Sequence, residues 1–174
     1  MAPSAAQPES SVLHSRRNNS AFQYTLTAMQ QNDNRTVDLA SFGDTLDTPT
    51  FEQILEMDDN EEREFSRGLV LGFFVQAEGT FAQMESALKS RNLSKLSELG
   101  HFLKGSSATL GLTKVKDACE KIQHFGAQKD ESGTIDVPDK DISLANVRKV
   151  LTEVRVDYGD ISRKLKRFYG EPVQ

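Results

Sequence analysis

The 174-residue sequence contains no tryptophan and only one cysteine, Cys119. A single cysteine excludes an internal disulfide bond and a metal site built from several thiolates. Cys119 has apolar neighbours at helical spacing, which favours a buried structural thiol over a nucleophile. The sequence also lacks an apolar run of about 18 residues, which argues against a transmembrane helix.

Basic residues are fewer than acidic ones in this sequence. The 21 lysines and arginines are outnumbered by 26 aspartates and glutamates, which leaves a net charge of −5. This balance argues against a nucleic-acid-binding surface as the main function. The amino terminus has no apolar signal-peptide core, so we expect an intracellular protein that is small enough to reach both cytoplasm and nucleus. The basic run at 163–167 could be a nuclear localisation signal, but a solvated helix end is the favoured interpretation.

The composition changes once along the chain. Residues 1–36 are rich in alanine, serine, proline, glutamine and asparagine and show no sustained period, which predicts a disordered tail. From residue 37 onward the apolar positions are organised, and we predict a single domain over 37–174.

Apolar residues in this domain recur every three or four positions, which predicts helices and no strands. A capping box, Thr50-x-x-Gln53, predicts a short helix at 50–57. Four long amphipathic helices with short links then predict an all-α, antiparallel up-down-up-down four-helix bundle, with the short helix on one end or flank. The long helices are expected at 60–89, 92–110, 113–125 and 140–169, with a polar loop at 127–138.

Individual residues predict the limits and the inner face of these helices. Asp59 with Glu62, Asn92 and Thr113 are candidate amino-terminal caps, and Gly111 and Gly126 are candidate ends. The second helix is expected to bury Phe65, Leu69, Phe73, Ala77, Phe81, Met84 and Leu88.

His101 lies opposite the leucine stripe of the third predicted helix, so the core does not need it. Gly105 follows one turn later, although glycine inside a helix costs about 1 kcal/mol relative to alanine. A helical side chain leans over the preceding turn, so a larger residue at 105 would crowd the imidazole. The outer-face neighbours of His101 are mostly small: Ser94, Ser97, Lys104, Gly105 and Ala108. The pattern indicates either an accessible nucleophile or an ordinary surface histidine.

Phosphoryl transfer is the chemistry that suits this arrangement. Neutral imidazole is a good nucleophile near neutral pH, and in-line attack needs an open approach to the ring. Positioning and nearby positive charge stabilise the transferring group, and Lys104 could supply that charge.

The stretch from His101 to Leu112, HFLKGSSATLGL, resembles the phosphoacceptor motif of histidine-containing phosphotransfer (HPt) proteins, most closely the fungal phosphorelay intermediates. The resemblance covers about 50–126 and includes four further stretches, at 57–59, 65–69, 80–84 and 119–123. It implies that His101 accepts a phosphoryl group from a receiver-domain aspartyl phosphate of a hybrid histidine kinase. It further implies transfer to an aspartate of a downstream response regulator, in osmotic or oxidative stress signalling.

The same resemblance implies a monomeric phosphocarrier without kinase or ATPase activity. No cofactor is expected on this chain, because the Mg²⁺ would belong to the receiver domain. No nucleic acid or membrane partner is expected either.

Roles for particular residues also follow from the resemblance. Lys104 would neutralise phosphoryl charge, Gly105 would leave room for a receiver loop, and Gln123 would form a hydrogen bond near His101. The implied receiver-binding residues are Ile54, Met57, Phe65, Leu69, Gln76 and Ser106. The sequence departs from the fungal pattern at Ala127, where those members carry a basic residue; Lys129 lies nearby.

Alternatives stay open at this point. Ile54, Phe65 and Leu69 could pack in the core, and Gln123 could be an ordinary polar residue. A non-catalytic helical adaptor could use the same receiver-binding residues. A metal-dependent or hydrolytic enzyme is disfavoured because no metal motif is present and the three histidines lie apart. They are His14, His101 and His124.

Overall fold

The computed structural model describes residues 38–173, and the predicted tail, with His14, lies outside the described residues. A 3₁₀ helix, Leu39–Thr45, precedes five α-helices. They are α1 (Thr48–Leu55), α2 (Glu64–Lys89), α3 (Leu93–Thr109), α4 (Thr113–Gly126) and α5 (Lys140–Phe168). Residues 38–173 contain no β-strand, only an isolated bridge between Lys129 and Asp136. The predicted all-α class is confirmed.

Contacts between the long helices show that neighbours run in opposite directions. Gly100, near the middle of α3, lies against Cys119 and Gln123 of α4, whereas Gly126 at the end of α4 lies against Leu93 and Ser97 at the start of α3. Ion pairs also join opposite ends of α2 and α5, from Arg67 to Glu171 and from Arg91 to Asp141. The predicted antiparallel four-helix bundle is therefore confirmed.

One apolar core runs through the bundle, and every long helix contributes to it. Tyr158 of α5 packs edge-on against Phe74 and Phe81 of α2, with ring centroids 6.2 and 5.2 Å apart. The largest fully buried side chains of the four long helices include Phe81, Met84, Leu96, Leu103, Ile122 and Leu165. None of the helices in the described part of the chain is both long enough and apolar enough to cross a membrane.

The 3₁₀ helix and α1 cover one end of the bundle. Phe42 and Phe51 are fully buried there, and both rings contact Phe168 near the end of α5. The amide of Asp47 donates to the carbonyl of Gly111, 2.7 Å away, which fixes α1 to the turn between α3 and α4. The short helix thus lies where the sequence pattern predicts, at an end of the bundle.

Some predicted helix starts are wrong. Helix α1 begins at Thr48 after Asp47, and Thr50 lies inside the helix, where its hydroxyl bonds to the Asp47 carboxylate. Helix α2 begins at Glu64 rather than near residue 60. Thr113 is the first residue of α4 and donates to a carbonyl of the 3₁₀ helix instead of capping. At α4, a long-range partner thus replaced the local cap that the short sequence pattern suggested.

The cap predicted at Asn92 is confirmed. Its side chain accepts a hydrogen bond from the Lys95 amide at 3.0 Å and satisfies one of the free donors at the start of α3. Gly111 follows α3 with a φ of +70°, a conformation that favours glycine, and so ends the helix as expected.

Candidate functional site

His101 projects from the outer face of α3 and is exposed. The opposite face of the helix buries Leu96, Leu99 and Leu103 in the core. Because successive residues are about 100° apart around a helix, burying these leucines directs residue 101 to solvent. The predicted accessibility of His101 is thus present in the structure.

Two glycines beside His101 have opposite surroundings. A Cβ atom added to Gly100 would lie 2.7 Å from the main-chain nitrogen of Gln123 and 2.8 Å from the main-chain oxygen of Cys119. A Cβ atom added to Gly105 would meet no atom within 4 Å. Gly100 therefore allows the α3 and α4 backbones to touch, whereas Gly105 leaves open space one turn from His101.

Lys104, one turn after His101, is half-buried and forms an ion pair with α4. Its Nζ lies 3.3 Å from Oε1 of Glu120. The pair holds the ammonium group beside α4 and partly balances its charge. Sequence reasoning assigned no role to Glu120; its position three residues before Gln123, on the same side of α4, was the available signal. We name His101, Lys104 and Gly105 the acceptor face.

Gln123 is fixed on α4 by the close helix contact at Gly100. Its main-chain carbonyl accepts a hydrogen bond from the Ser97 hydroxyl at 2.9 Å. Its side-chain Oε1 is buried and has no hydrogen-bond partner among the described residues. Buried polar atoms are normally paired, so this oxygen keeps an unused capacity to accept a hydrogen bond.

Gln76 and Ser106 form a polar link between α2 and α3. The Gln76 side-chain amide donates to the Ser106 hydroxyl at 2.7 Å. Ser106 follows Gly105 directly, so the structure places both of these residues at the edge of the acceptor face.

Three of the apolar residues in the predicted receiver-binding set are exposed: Met57 by 60%, Phe65 by 45% and Leu69 by 41%. We name these three residues the docking flank. The prediction that Phe65 and Leu69 belong to the core of the bundle is wrong, because Ser66 and Val70 occupy the inward positions instead.

Ile54 differs from the docking flank because only 7% of it is exposed. It packs in the core with Phe51 on the inner side of α1, so it offers little surface to a partner and mainly seats this helix. The core-packing interpretation thus describes Ile54 but not Phe65 or Leu69.

The region after Gln123 adds no free positive charge to the site. Ala127 is exposed, and Lys129 forms an ion pair with Asp136 across the following loop. Nδ1 of His124 lies 2.9 Å from the carbonyl of Glu131, so this histidine serves the same loop. The described residues contain no group of three histidine, cysteine or carboxylate side chains that could hold a metal ion.

Cys119 is buried between the helices, and burial raises the pKa of its thiol to about 12. It is therefore protonated near neutral pH, as expected of a structural thiol.

Three of the basic residues at the end of α5 also have structural partners. Lys164 and Lys166 lie over the rings of Phe42 and Phe74, and Arg163 forms an ion pair with Asp160. These contacts favour the helix-end interpretation of the basic run.

Comparison with known proteins agrees with this geometry. The sequence model of the Hpt domain family matches residues 68–156, and the chain belongs to this family. It is 46% identical over 124 residues to Multistep phosphorelay regulator 1 of Schizosaccharomyces pombe, covering 71% of this chain and 42% of that protein. It is 35% identical over 150 residues to Phosphorelay intermediate protein YPD1 of Saccharomyces cerevisiae, covering 68% of this chain and 89% of that protein.

A solved structure of the S. cerevisiae protein Ypd1 has a similar fold. That structure is a complex of Ypd1 with the receiver domain of its downstream response regulator Ssk1. The TM-score is 0.65 at 32% sequence identity, and the match covers 74% of this chain and 97% of Ypd1. The chain spans less than half the length of the S. pombe relative.

Proposed function

We propose that this protein is a phosphorelay intermediate that carries a phosphoryl group on His101 between two receiver domains. The donor is the receiver domain of a hybrid histidine kinase, and the acceptor is a downstream response regulator. The observation that carries the proposal is an exposed histidine beside a helix-interior glycine that faces open space. This arrangement occurs in a bundle of the Hpt family, whose yeast member Ypd1 binds a receiver domain.

The uptake step is a nucleophilic substitution at phosphorus. An unprotonated imidazole nitrogen of His101 attacks the phosphorus of the receiver's aspartyl phosphate and forms an N–P bond. The P–O bond to the aspartate breaks, and its electron pair leaves with the carboxylate. In the second step a carboxylate oxygen of the downstream receiver attacks the same phosphorus, and the N–P bond returns its electron pair to the imidazole.

Neighbouring residues assist these steps by position and charge. Lys104 follows His101 by one helical turn, and its ammonium group can stabilise the phosphoryl oxygens, which carry negative charge in the transition state. The unpaired Oε1 of Gln123 is available to accept the ring N–H of His101, which would leave the other nitrogen free to attack. Gly105 leaves space for the receiver backbone. The Mg²⁺ of the reaction is assigned to the receiver domain.

The proposal is tested by incubating the protein with a receiver domain that carries a radiolabelled aspartyl phosphate. We expect acid-labile, base-stable label on the wild-type chain and none on His101→Gln. His124→Gln is the matched control, since that histidine is engaged by the loop after α4, and it should accept label normally. Uptake of label by His101→Gln would overturn the assignment of the site. Receiver binding without any label on the wild-type chain would instead indicate an adaptor.

The expected location in the cytoplasm and nucleus belongs to the same proposal, because the two receivers can lie in different compartments. Imaging of a fluorescent fusion in living cells tests it, and exclusion of the fusion from the nucleus would contradict it.

A further inference from the structure

A polar network joins the link after α1 to the start of α2. The Asp58 carboxylate accepts two hydrogen bonds from Ser66, one from the main-chain amide at 2.9 Å and one from the hydroxyl at 2.6 Å. The Tyr169 hydroxyl, just after α5, donates to the Ser66 hydroxyl oxygen at 2.9 Å. The link after α1, the start of α2 and the distant end of α5 are thus held together by one buried serine.

Asp58 caps the amino-terminal end of α2, although it lies outside the helix in the preceding link. The residue before the helix, Arg63, has a φ of +53° and makes no side-chain cap hydrogen bond. Asp58 instead bonds to an amide of the first helical turn, where a negative charge also suits the helix dipole. Ser66 follows Asp58 by eight positions, so the pair closes the whole link into a loop.

The aromatic end of α5 supports the same network. Phe168 packs edge-on against Tyr169, with ring centroids 4.9 Å apart, and it also contacts Phe42 and Phe51. The Arg63 guanidinium lies over the Phe168 ring, 4.6 Å from its centroid. The link is therefore attached to the same aromatic cluster that seats α1.

The position of the network matters because of the residues beside it. Met57 immediately precedes Asp58, and Phe65 immediately precedes Ser66. Both side chains are exposed and belong to the docking flank. The Asp58–Ser66 pair therefore fixes the spacing between two apolar side chains that come from different segments.

We propose that Asp58, Ser66 and Tyr169 are positioning residues that hold Met57 and Phe65 in the arrangement a receiver domain binds. The inference rests on the proposed phosphorelay function. Preorganised side chains lose less conformational entropy on binding, so loosening the network weakens receiver affinity. The chemical step on His101 is left unchanged, because the acceptor face is held separately by the α3–α4 contact.

Single-turnover phosphotransfer from the phosphorylated wild-type chain to the Ssk1 receiver domain tests this inference. The rate is measured over a range of receiver concentrations to give a maximal rate, kmax, and a half-saturating concentration, K1/2. For Asp58→Ala and Ser66→Ala we expect K1/2 to rise by about tenfold, equivalent to ~1.4 kcal/mol, with kmax within about twofold of wild type. Tyr169→Phe, which removes one hydroxyl, should have a smaller effect in the same direction.

Two further variants separate positioning from general stability. Asp58→Asn keeps an oxygen acceptor for the Ser66 amide and should restore part of the affinity. Asp130→Ala is the matched control: its carboxylate accepts the amides of Thr134 and Ile135 in the loop after α4. It should change thermal stability without changing K1/2.

An unchanged K1/2 in Asp58→Ala, or an equal rise in Asp130→Ala, would overturn the inference. A fall in kmax at constant K1/2 would also overturn it, because the network would then act on the chemical step. If Asp58→Ala does not fold, Tyr169→Phe and Asp58→Asn decide the question by the same two constants. Failure of the wild-type chain to carry phosphate at all would instead contradict the proposed function.

Discussion

The acceptor face and the docking flank are held by different forces. The acceptor face lies on two helices whose backbones touch at Gly100, and this contact permits little movement. The docking flank combines a link and a helix start that are joined by hydrogen bonds from Asp58 and Ser66. Backbone packing fixes the position of α3 beneath the acceptor face, whereas the spacing within the docking flank depends on an ionised carboxylate. Chemistry and recognition can therefore be disturbed separately.

Gly100→Ala should have the largest effect, and it acts on the acceptor face. The added Cβ would lie 2.7 Å from a main-chain nitrogen, so α3 and α4 must separate. We expect a loss of about 1–3 kcal/mol in the free energy of unfolding together with slower phosphotransfer, because His101 moves with α3. Thermal denaturation and single-turnover transfer measure the two effects.

Gly79→Ala is the control for this change, because its Cβ would meet no atom within 4 Å. It should stabilise α2 by up to about 1 kcal/mol through helix propensity. A Gly100→Ala variant that melts at or above the wild-type temperature would refute the packing role of this contact.

Gly105 provides the second test, on the open side of α3. Gly105→Ala should raise stability by up to about 1 kcal/mol, because the methyl group meets no neighbour. Gly105→Gln should leave helical content nearly unchanged but slow transfer by roughly tenfold, ~1.4 kcal/mol, because its side chain occupies the receiver's space. Circular dichroism and transfer kinetics measure these effects. If Gly105→Gln transfers phosphate at the wild-type rate, the receiver does not need the open space at Gly105.

The third test concerns pH and acts on the docking flank. Burial alone would raise the pKa of Asp58, but the hydrogen bonds from the Ser66 hydroxyl and amide outweigh it and hold the pKa below its ordinary value of 3.8. A lowered pKa in the folded state stabilises the fold above pH 3.8, and this contribution is lost as the pH falls through the folded pKa. Asp58→Asn should therefore flatten the fall in stability at acid pH.

Denaturant unfolding between neutral and acid pH measures this slope. Asp130→Asn should also flatten the fall in stability over this pH range, since hydrogen bonds from the Ile135 amide and the Ser132 hydroxyl lower the Asp130 pKa. Only Asp58→Asn should also weaken receiver binding. If the stability of Asp58→Asn falls at acid pH as steeply as that of wild type, the charge of the Asp58 carboxylate does not stabilise the fold.

Glu120→Gln should have the smallest effect. It frees Lys104 from its ion pair, whose side chains are 27% and 46% exposed. Partly exposed pairs contribute about 0–1 kcal/mol, so transfer should change by no more than about fivefold, and upward, as more positive charge becomes available. Transfer kinetics at low and high salt measure it, with Glu131→Gln as a matched control on the pair with Lys121. A clear slowing would show that Glu120 orients Lys104.

The site was only partly predictable from the sequence. The exposure of His101 follows from helical periodicity, and so does the polar rim around it. The Lys104–Glu120 pair depends on how α3 and α4 meet, and no pattern within α3 indicates it. Phe65 and Leu69 fit a core stripe by spacing, yet in the structure Ser66 and Val70 occupy the inward positions, and Ser66 finds polar partners there.

The sequence by itself determined the five helices, the bundle and a histidine directed to solvent, because these depend on residues three or four positions apart. The tertiary structure alone decided that Gly100 is packed and Gly105 open, that Ile54 is buried, and that Met57 and Phe65 lie exposed on either side of the Asp58–Ser66 pair. These outcomes depend on partners far apart in the chain, such as Ser66 and Tyr169, which meet only when the helices pack.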